Sequence, residues 1–181
     1  CFHGRGFMCK WGLAGWTGAW DNDICRPWFL RDAAEVLMMM SRQVTAGSIF
    51  MGRLCRGCDL LDGLTKAALD CGARLGRIEA IGAVERACIG CYDQDARSYL
   101  LIPIERPMEI ANLTGNVSLK DGVPFVHAHV TLTDSSGRAC GGHLAAGTVV
   151  FACDFVLAAF EGDDLVRLPD EETGLSLWPI P

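Results

Sequence analysis

GNVSLKDGVPFVHAHVTLTDSSGRACGGH, residues 115–143, is the stretch that decides the fold of this 181-residue chain, and it holds three of the four histidines. Asp121-Gly122 lies between runs of alternating apolar residues, which is the pattern of a two-residue type I′ hairpin loop. Counting outward from that loop pairs Leu119 with Pro124. Pro124 then occupies a non-hydrogen-bonded position of the ladder, where its missing N–H costs nothing.

The register of this hairpin predicts one apolar face and one face that carries histidines. Successive side chains of a strand point to opposite faces of the sheet. The apolar face collects Val117, Leu119, Val126, Ala128, Val130 and Leu132. The other face carries His127 and His129, with Asn116 directly across from His127. We expect the first face to join the core and the second to remain available for binding.

A second turn brings the third histidine to the same face. Ser135, Ser136 and Gly137 suit a three-residue hairpin loop with the glycine in the left-handed position. His143 then lies directly across from His129. A bulge at Gly141-Gly142 would turn His143 to the opposite face, so this register is the point to check first in a structure.

The three histidines are the strongest candidates for a chemical site. Three neutral imidazoles with an open fourth position suit zinc or a similar divalent ion, so we predict that His127, His129 and His143 are metal ligands. Asn116 could hydrogen-bond in support of a ligand ring. Asp154 lies in a strand that is otherwise apolar on both faces and should have a partner, namely an arginine, one of these histidines or a neighbouring subunit. The competing interpretation is that the histidines are structural, hydrogen-bonded across strands or at a contact between subunits.

Two Cys-x-x-Cys pairs suggest a second metal hypothesis. Cys55–Cys58 and Cys88–Cys91 have the spacing of a four-cysteine zinc site. However, Cys88 and Cys91 fall in a strand pattern, and their odd separation points them to opposite faces. We therefore expect these cysteines to be core or surface thiols.

No enzymatic motif stands out elsewhere in the sequence. A cupin also uses His-x-His, but it needs a glutamate four or five residues later, where this chain has Thr133 and Asp134. No serine, cysteine or carboxylate pair lies in a recognisable nucleophile or acid–base motif, and no phosphate-binding glycine loop follows a strand as required. We expect a binding protein rather than an enzyme.

Composition limits the classes of partner. The net charge of −6 argues against a nonspecific grip on nucleic acid, which normally comes from a basic surface. No run approaches the roughly 20 apolar residues of a membrane span. The first residues lack the features of a signal peptide, so the ten cysteines are interpreted as reduced thiols. These observations favour a soluble, cytoplasmic protein without membrane contact.

The chain divides near residue 40. Residues 1–40 hold four of the five tryptophans and show no clean strand or helix period, although 28–40 could form a short helix. We interpret 1–40 as an extension or non-native sequence, with a genuine but poorly ordered arm as the alternative, and 46–178 as the folded domain. A chain starting at Met40 should then melt unchanged.

The pattern within 46–178 indicates an α+β fold with a mainly antiparallel sheet. Asp59 can cap a helix that runs to about Cys71, with Gly72 as its stop. Strands are predicted over 48–54, 74–84, 86–92, 98–104, 108–120, 123–133 and 147–160, with a last short strand or clasp around Leu175 and Leu177.

Over some 130 residues the chain resembles the PPC domain, the plant and prokaryote conserved domain. The resemblance rests on GCDLLDGL (57–64), IGAV (81–84), MEIANLTGNVSLKDGVPFVHAHVTL (108–132), GGHLAAGTVV (141–150) and PDEETGLSLW (169–178). It implies a twisted sheet of about seven strands with flanking helices, assembled as a homotrimer.

The resemblance also implies an association with DNA. Plant members of the family carry AT-hooks, whose Gly-Arg-Pro core places arginines in a narrow minor groove. Residues 3–6 and 26–27 do not supply that core. The resemblance therefore implies a DNA-associated or regulatory trimer, acting on DNA or on DNA-bound proteins. The alternative is a trimeric metal- or small-ligand-binding module, with or without enzymatic activity, that uses the three-histidine face.

Overall fold

A computed structural model describes residues 40–180, and a seven-stranded sheet and a single helix account for most of these residues. The elements are β1 (Thr45–Leu54), α1 (Leu60–Asp70), β2 (Gly76–Asp93), β3 (Ser98–Ile104), β4 (Met108–Lys120), β5 (Val123–Thr133), β6 (Ala139–Leu144), β7 (Val149–Glu161), β8 (Leu168–Pro169) and β9 (Ser176–Leu177). The main sheet runs β1-β7-β2-β4-β5-β6, with β3 beside β2, and every pairing between these strands is antiparallel. The prediction of a mainly antiparallel sheet of about seven strands is confirmed.

The β4–β5 hairpin has the predicted register. Asp121 and Gly122 both have positive φ, 52° and 80°, as a type I′ loop requires. Asn116 faces His127, and Leu119 faces Pro124. The face opposite the histidines is buried as expected, and it packs into the core beneath α1.

The β5–β6 pairing contains no bulge at the two glycines. Val130 faces Gly142, and His129 faces His143. Close packing explains Gly142 instead, because β6 lies between β5 and β2. A Cβ on Gly142 would lie 2.7 Å from the carbonyl oxygen of Gly90 in β2. The predicted position of His143 is therefore confirmed, and the strand that carries it is fixed from both sides.

Strand β2 is longer than the sequence indicated. The prediction of two strands over 74–84 and 86–92 was wrong, because β2 continues without interruption from Gly76 to Asp93. Gly82 has φ 142°, and a Cβ there would collide with the backbone of Ala152. Register shifts on both sides of Gly82 mark bulges, which bend a strand. The first half of β2 pairs with β4 and β7, and the second half pairs with β3 and β6.

Helix α1 closes the apolar side of the sheet. Asp59 Oδ1 accepts hydrogen bonds from the backbone N–H groups of Leu61 (2.9 Å) and Asp62 (3.1 Å), as expected of an N-cap. Leu60 and Leu64 are fully buried on its core-facing stripe. Within residues 40–180 this is the single helix, so the expected flanking helices are reduced to one. The helix predicted over 28–40 lies outside the described residues, apart from Met40.

The C-terminal segment packs back onto the hairpin. The backbone of Leu119 donates to the carbonyl of Leu165 (2.9 Å) and accepts from the N–H of Arg167 (2.7 Å). Leu168 then pairs with Leu177 in the small β8–β9 ladder, which is the predicted clasp. This segment covers one end of the histidine face.

Candidate metal centre

Three imidazoles meet on the solvent side of β5 and β6. His127 and His129 come from β5, and His143 comes from β6, across the ladder from His129. One potential ligand nitrogen from each ring lies within 4.8 Å of the others, and the ring centroids are separated by 5.1–5.5 Å. The register of two hairpins thus places all three rings around one point.

The surroundings favour the neutral form of His127 and His143. The pKa of His127 falls to about 4, because the ring is partly buried and because Arg167, His143 and His129 add unfavourable charge interactions. Burial also lowers the pKa of His143, with His129 and Arg167 contributing further. A neutral imidazole keeps a lone pair for a metal ion, so these two rings are ready to act as ligands at physiological pH.

Arg167 is the charged residue that lies behind the cluster. Its side chain is only 7% exposed. It donates to Ser118 Oγ (3.1 Å), to Asn116 Oδ1 (2.9 Å) and to the carbonyl of Ser176 (3.0 Å). One of its terminal nitrogens lies 3.4 Å from His127 Nδ1. Arg167 therefore fastens the C-terminal segment to the strand pair and sets the charge beside His127.

His143 is held by an aromatic neighbour. The ring of Tyr99, from β3, stacks on His143 with centroids 4.7 Å apart, and Tyr92 packs edge-on against Tyr99 at 5.0 Å. His143 Nδ1 is buried, and it has no hydrogen-bond partner among the described residues. A buried nitrogen without a partner is costly, and a metal ion bound to it would supply the missing interaction.

The two expected supporting residues have different positions. Asn116 is next to His127, as predicted, but its Oδ1 accepts from Arg167, so it reaches the ring through the guanidinium. Asp154 does not join the histidines. It is exposed, which removes the reason to expect a buried partner, and it lies in β7 opposite Arg53 and Ile81, three strands from β5.

The structure gives no support for the four-cysteine zinc site. Among the described residues, the histidine trio is the one cluster with metal-ligand geometry, and no cysteine joins it. Cys55 and Cys91 are exposed, whereas Cys58 and Cys88 are partly buried, and all four thiols are free.

The donor set fits a zinc-class ion. Three nitrogens at zinc-binding distance of one ion lie about 3.3 Å apart, and the observed limit of 4.8 Å is somewhat wider than that. The rings are thus gathered in a slightly open arrangement. The lowered pKa values of His127 and His143 and the unpartnered His143 Nδ1 both suit a metal, whereas the nearby Arg167 charge opposes one.

Sequence reasoning missed Arg167 and Tyr99. Arg167 was detectable in principle, since it is a lone cation between Val166 and Leu168 in an otherwise acidic segment. Tyr99 gave no comparable signal. It reaches His143 because β3 and β6 both lie along the second half of β2.

Comparison with known proteins places the fold in a described family. Residues 41–161 match the family model of the Plants and Prokaryotes Conserved (PCC) domain. A metal-containing protein from Archaeoglobus fulgidus is 40% identical with a TM-score of 0.74, covering 78% of this chain and 99% of that one. A plant- and prokaryote-conserved (PPC) protein from Pyrococcus horikoshii is 34% identical with a TM-score of 0.74, covering 78% and 97%. A Ralstonia eutropha JMP134 protein, provisionally named as DNA-binding, is 29% identical with a TM-score of 0.64, covering 72% and 90%.

Curated relatives are much longer than this chain. The bifunctional protein GlmU of Synechococcus sp. (strain JA-3-3Ab) is 33% identical over 124 residues, which is 67% of this chain and 19% of that protein. The chain thus spans about a fifth of the length of the curated relatives it matches. In residues 40–180, no helix is long and apolar enough to cross a membrane.

Proposed function

The chain belongs to the PCC domain family, and from that premise we propose that it is a binding protein whose three-histidine cluster holds a divalent metal ion of the zinc class. The observation that carries the proposal is the convergence of His127, His129 and His143, whose ligand atoms lie within 4.8 Å of one another. The metal-containing relative from Archaeoglobus fulgidus, at 40% identity, supports the same assignment.

The cluster has the composition of an open metal site. Three protein ligands leave a fourth position for water or another ligand, whereas structural zinc sites are normally closed by four. Within the described residues, no carboxylate joins the cluster to act as a general base. A binding role therefore fits the site better than hydrolysis does.

The affinity should be limited by Arg167. Its guanidinium lies 3.4 Å from His127 Nδ1, so a metal cation would be bound close to a fixed positive charge. We expect a site that is weaker than a closed structural zinc site. Its affinity should rise when an anion balances the charge.

The test is metal analysis of the purified chain. Wild type should bind about one zinc ion per chain, and the single variants His127→Ala, His129→Ala and His143→Ala should each lose most of it. His129 is the sharpest position, since it is exposed and its removal leaves the core and the Arg167 contacts intact. Cys55→Ala, which removes an exposed thiol outside the cluster, is the control and should keep the wild-type zinc content. Equal metal content in all variants would end the proposal.

We also propose that the chain assembles as a homotrimer through the sheet face that carries the histidines. Met51, in the edge strand β1, is 83% exposed, and Ile81, in the central strand β2, is 62% exposed. Met51 faces Val156 in β7, and Val156 faces Glu79 in β2. Glu79 faces Thr114 in β4, which faces His129, so these side chains form one cross-strand row on the same face of the sheet. Exposed apolar patches of this kind mark interaction surfaces.

Light scattering after size-exclusion chromatography tests the assembly. Met51→Lys combined with Ile81→Lys should convert a trimer into monomers, since two charges would enter the contact. Leu69→Lys, on the exposed side of α1, is the control and should leave the mass unchanged. A monomeric wild type, or a double variant that stays trimeric, would contradict the assignment.

DNA association is the second candidate function. It is favoured by one observation, the DNA-binding name given to the relative from Ralstonia eutropha. The net charge of −6 opposes a strong independent grip, so any contact would be weak or made through partners. Binding to an AT-rich duplex that weakens steeply with salt would support direct contact, and an absence of binding at low salt would exclude it.

A further inference from the structure

A cavity lies beside the histidine cluster, and its lining carries a local excess of positive charge. It encloses about 280 Å³ between the C-terminal segment, β3 and the β4–β5 hairpin. Three permanent cations line it, namely Arg97, Lys120 and Arg167, and no carboxylate does. The chain as a whole is acidic, with a net charge of −6, so this local excess of positive charge is not a property of the general surface.

The charges on the inner wall of this cavity lack counterions. Arg167 is buried, and its hydrogen-bond partners are a hydroxyl, an amide oxygen, a backbone carbonyl and an imidazole. In residues 40–180 neither Arg167 nor Lys120 forms an ion pair with an acidic side chain. Arg97, at the rim, also interacts with the nearby Asp170. A buried guanidinium without an acid nearby is unfavourable unless an anion joins it.

The remaining wall is aromatic and apolar. Tyr92, Tyr99 and Phe125 line the cavity, together with Leu175 and Leu177. Arg167 lies over the Phe125 ring, with its guanidinium carbon 5.5 Å from the ring centre, and Lys120 approaches the same ring. Ligand cavities typically combine such walls with a few placed polar groups, and this volume is at the small end of their range. A cavity of this size suits a small molecule rather than a polymer.

We propose that this cavity binds a small organic anion, with a carboxylate or phosphate group on Arg167 and Lys120 and with an apolar body against Tyr99 and Phe125. Oxyanions are the natural ligands of guanidinium groups, which can donate two parallel hydrogen bonds. The cavity shares His127 and His143 with the metal cluster but not His129. Anion binding is therefore separable from metal binding.

The experiment is calorimetric titration of the full chain with three ring compounds, carried out on metal-free and zinc-loaded protein. Benzoate and phenyl phosphate carry the two acidic groups, and benzyl alcohol is the neutral analogue. At least one of the two anions should bind metal-free wild type, while the alcohol should not bind. The stronger of the two identifies carboxylate or phosphate as the preferred group.

Two variants locate the binding. Arg97→Gln combined with Lys120→Gln should weaken the anion about tenfold, because two partly exposed charges are lost while the buried Arg167 scaffold is kept. Lys66→Gln, a surface lysine on α1, should change nothing. His129→Ala should abolish zinc binding and leave anion binding to the metal-free chain within about twofold of wild type.

Three results with metal-free protein, and a fourth with zinc-loaded protein, would overturn the proposal. The first three are a wild type that binds neither anion, a neutral alcohol that binds as tightly as the anions, and a double variant that binds like wild type. Anion binding that requires zinc and disappears in His129→Ala would also overturn it, since the anion would then be only a ligand of the metal. A wild type that binds the anion but no zinc would instead remove the metal proposal alone.

Discussion

Acidification of the metal-free protein should destabilise it through His127. The pKa of this ring is lowered from 6.5 to about 4, chiefly by burial and then by the Arg167 charge. Between these two values the unfolded chain binds a proton that the folded chain does not. The stability contributed by the neutral ring is therefore complete above about pH 6.5 and is lost as the pH falls towards 4.

The size of the effect follows from the same two pKa values. At pH 5, a histidine with a pKa of 6.5 is almost fully protonated, whereas one with a pKa of about 4 is mostly neutral. Linkage converts that difference to about 2 kcal/mol in the free energy of unfolding. Since His127 retains some contact with solvent, we expect about 1–2 kcal/mol.

Urea unfolding at pH 7.5 and pH 5.0 measures this loss, and His127→Gln isolates it. Glutamine does not titrate, so the variant should lose about 1–2 kcal/mol less than wild type over the same interval. A titration of the His127 ring followed by NMR gives a second reading, with a midpoint expected near pH 4. Equal pH dependence in the two proteins, or a midpoint near 6.5, would refute the burial argument.

Three further predictions concern the scaffold. Asp59→Ala should lower the unfolding free energy by about 1–3 kcal/mol, since Asp59 caps α1 and its second oxygen accepts from the N–H of Gly147 at 2.6 Å; a loss no larger than that of Asp62→Ala would contradict this. Leu64→Ala should lower the free energy of unfolding, measured with urea, by about 2–5 kcal/mol, and the exposed Leu69→Ala by no more than about 0.5 kcal/mol. Similar losses in the two variants would show that the core-facing side of α1 is wrongly assigned. Gly142→Val should abolish zinc binding by forcing β6 away from β2, and zinc binding at wild-type strength would disprove the close approach.

The part of the site built by local rules could be predicted from the sequence. The Asp121-Gly122 turn fixes a register, and the two-residue period of a strand then determines which side chains share a face. Those two rules placed His127 and His129 together. The second turn added His143 in the same way, and its position depended only on the absence of a bulge.

The rest depends on contacts between distant parts of the chain. Strand β2 exchanges β4 and β7 for β3 and β6 between Val84 and Ala87, beyond Gly82, and this choice is made by packing rather than by local pattern. The stacking of Tyr99 on His143 follows from that change. Arg167 reaches His127 across 40 positions because the C-terminal segment pairs with Leu119, an edge that the hairpin leaves open.

In the β5–β6 pair, the backbone sets where the rings lie, and the side chains supply the chemistry. The positions of the rings are set by two turns and by glycines that let β2 approach β6, and none of these features involves the imidazoles themselves. Other side chains could therefore stand at 127, 129 and 143 without altering the scaffold. The same architecture can carry different ligand-binding side chains at these three positions. Relatives that share the fold can therefore differ in whether they bind a metal.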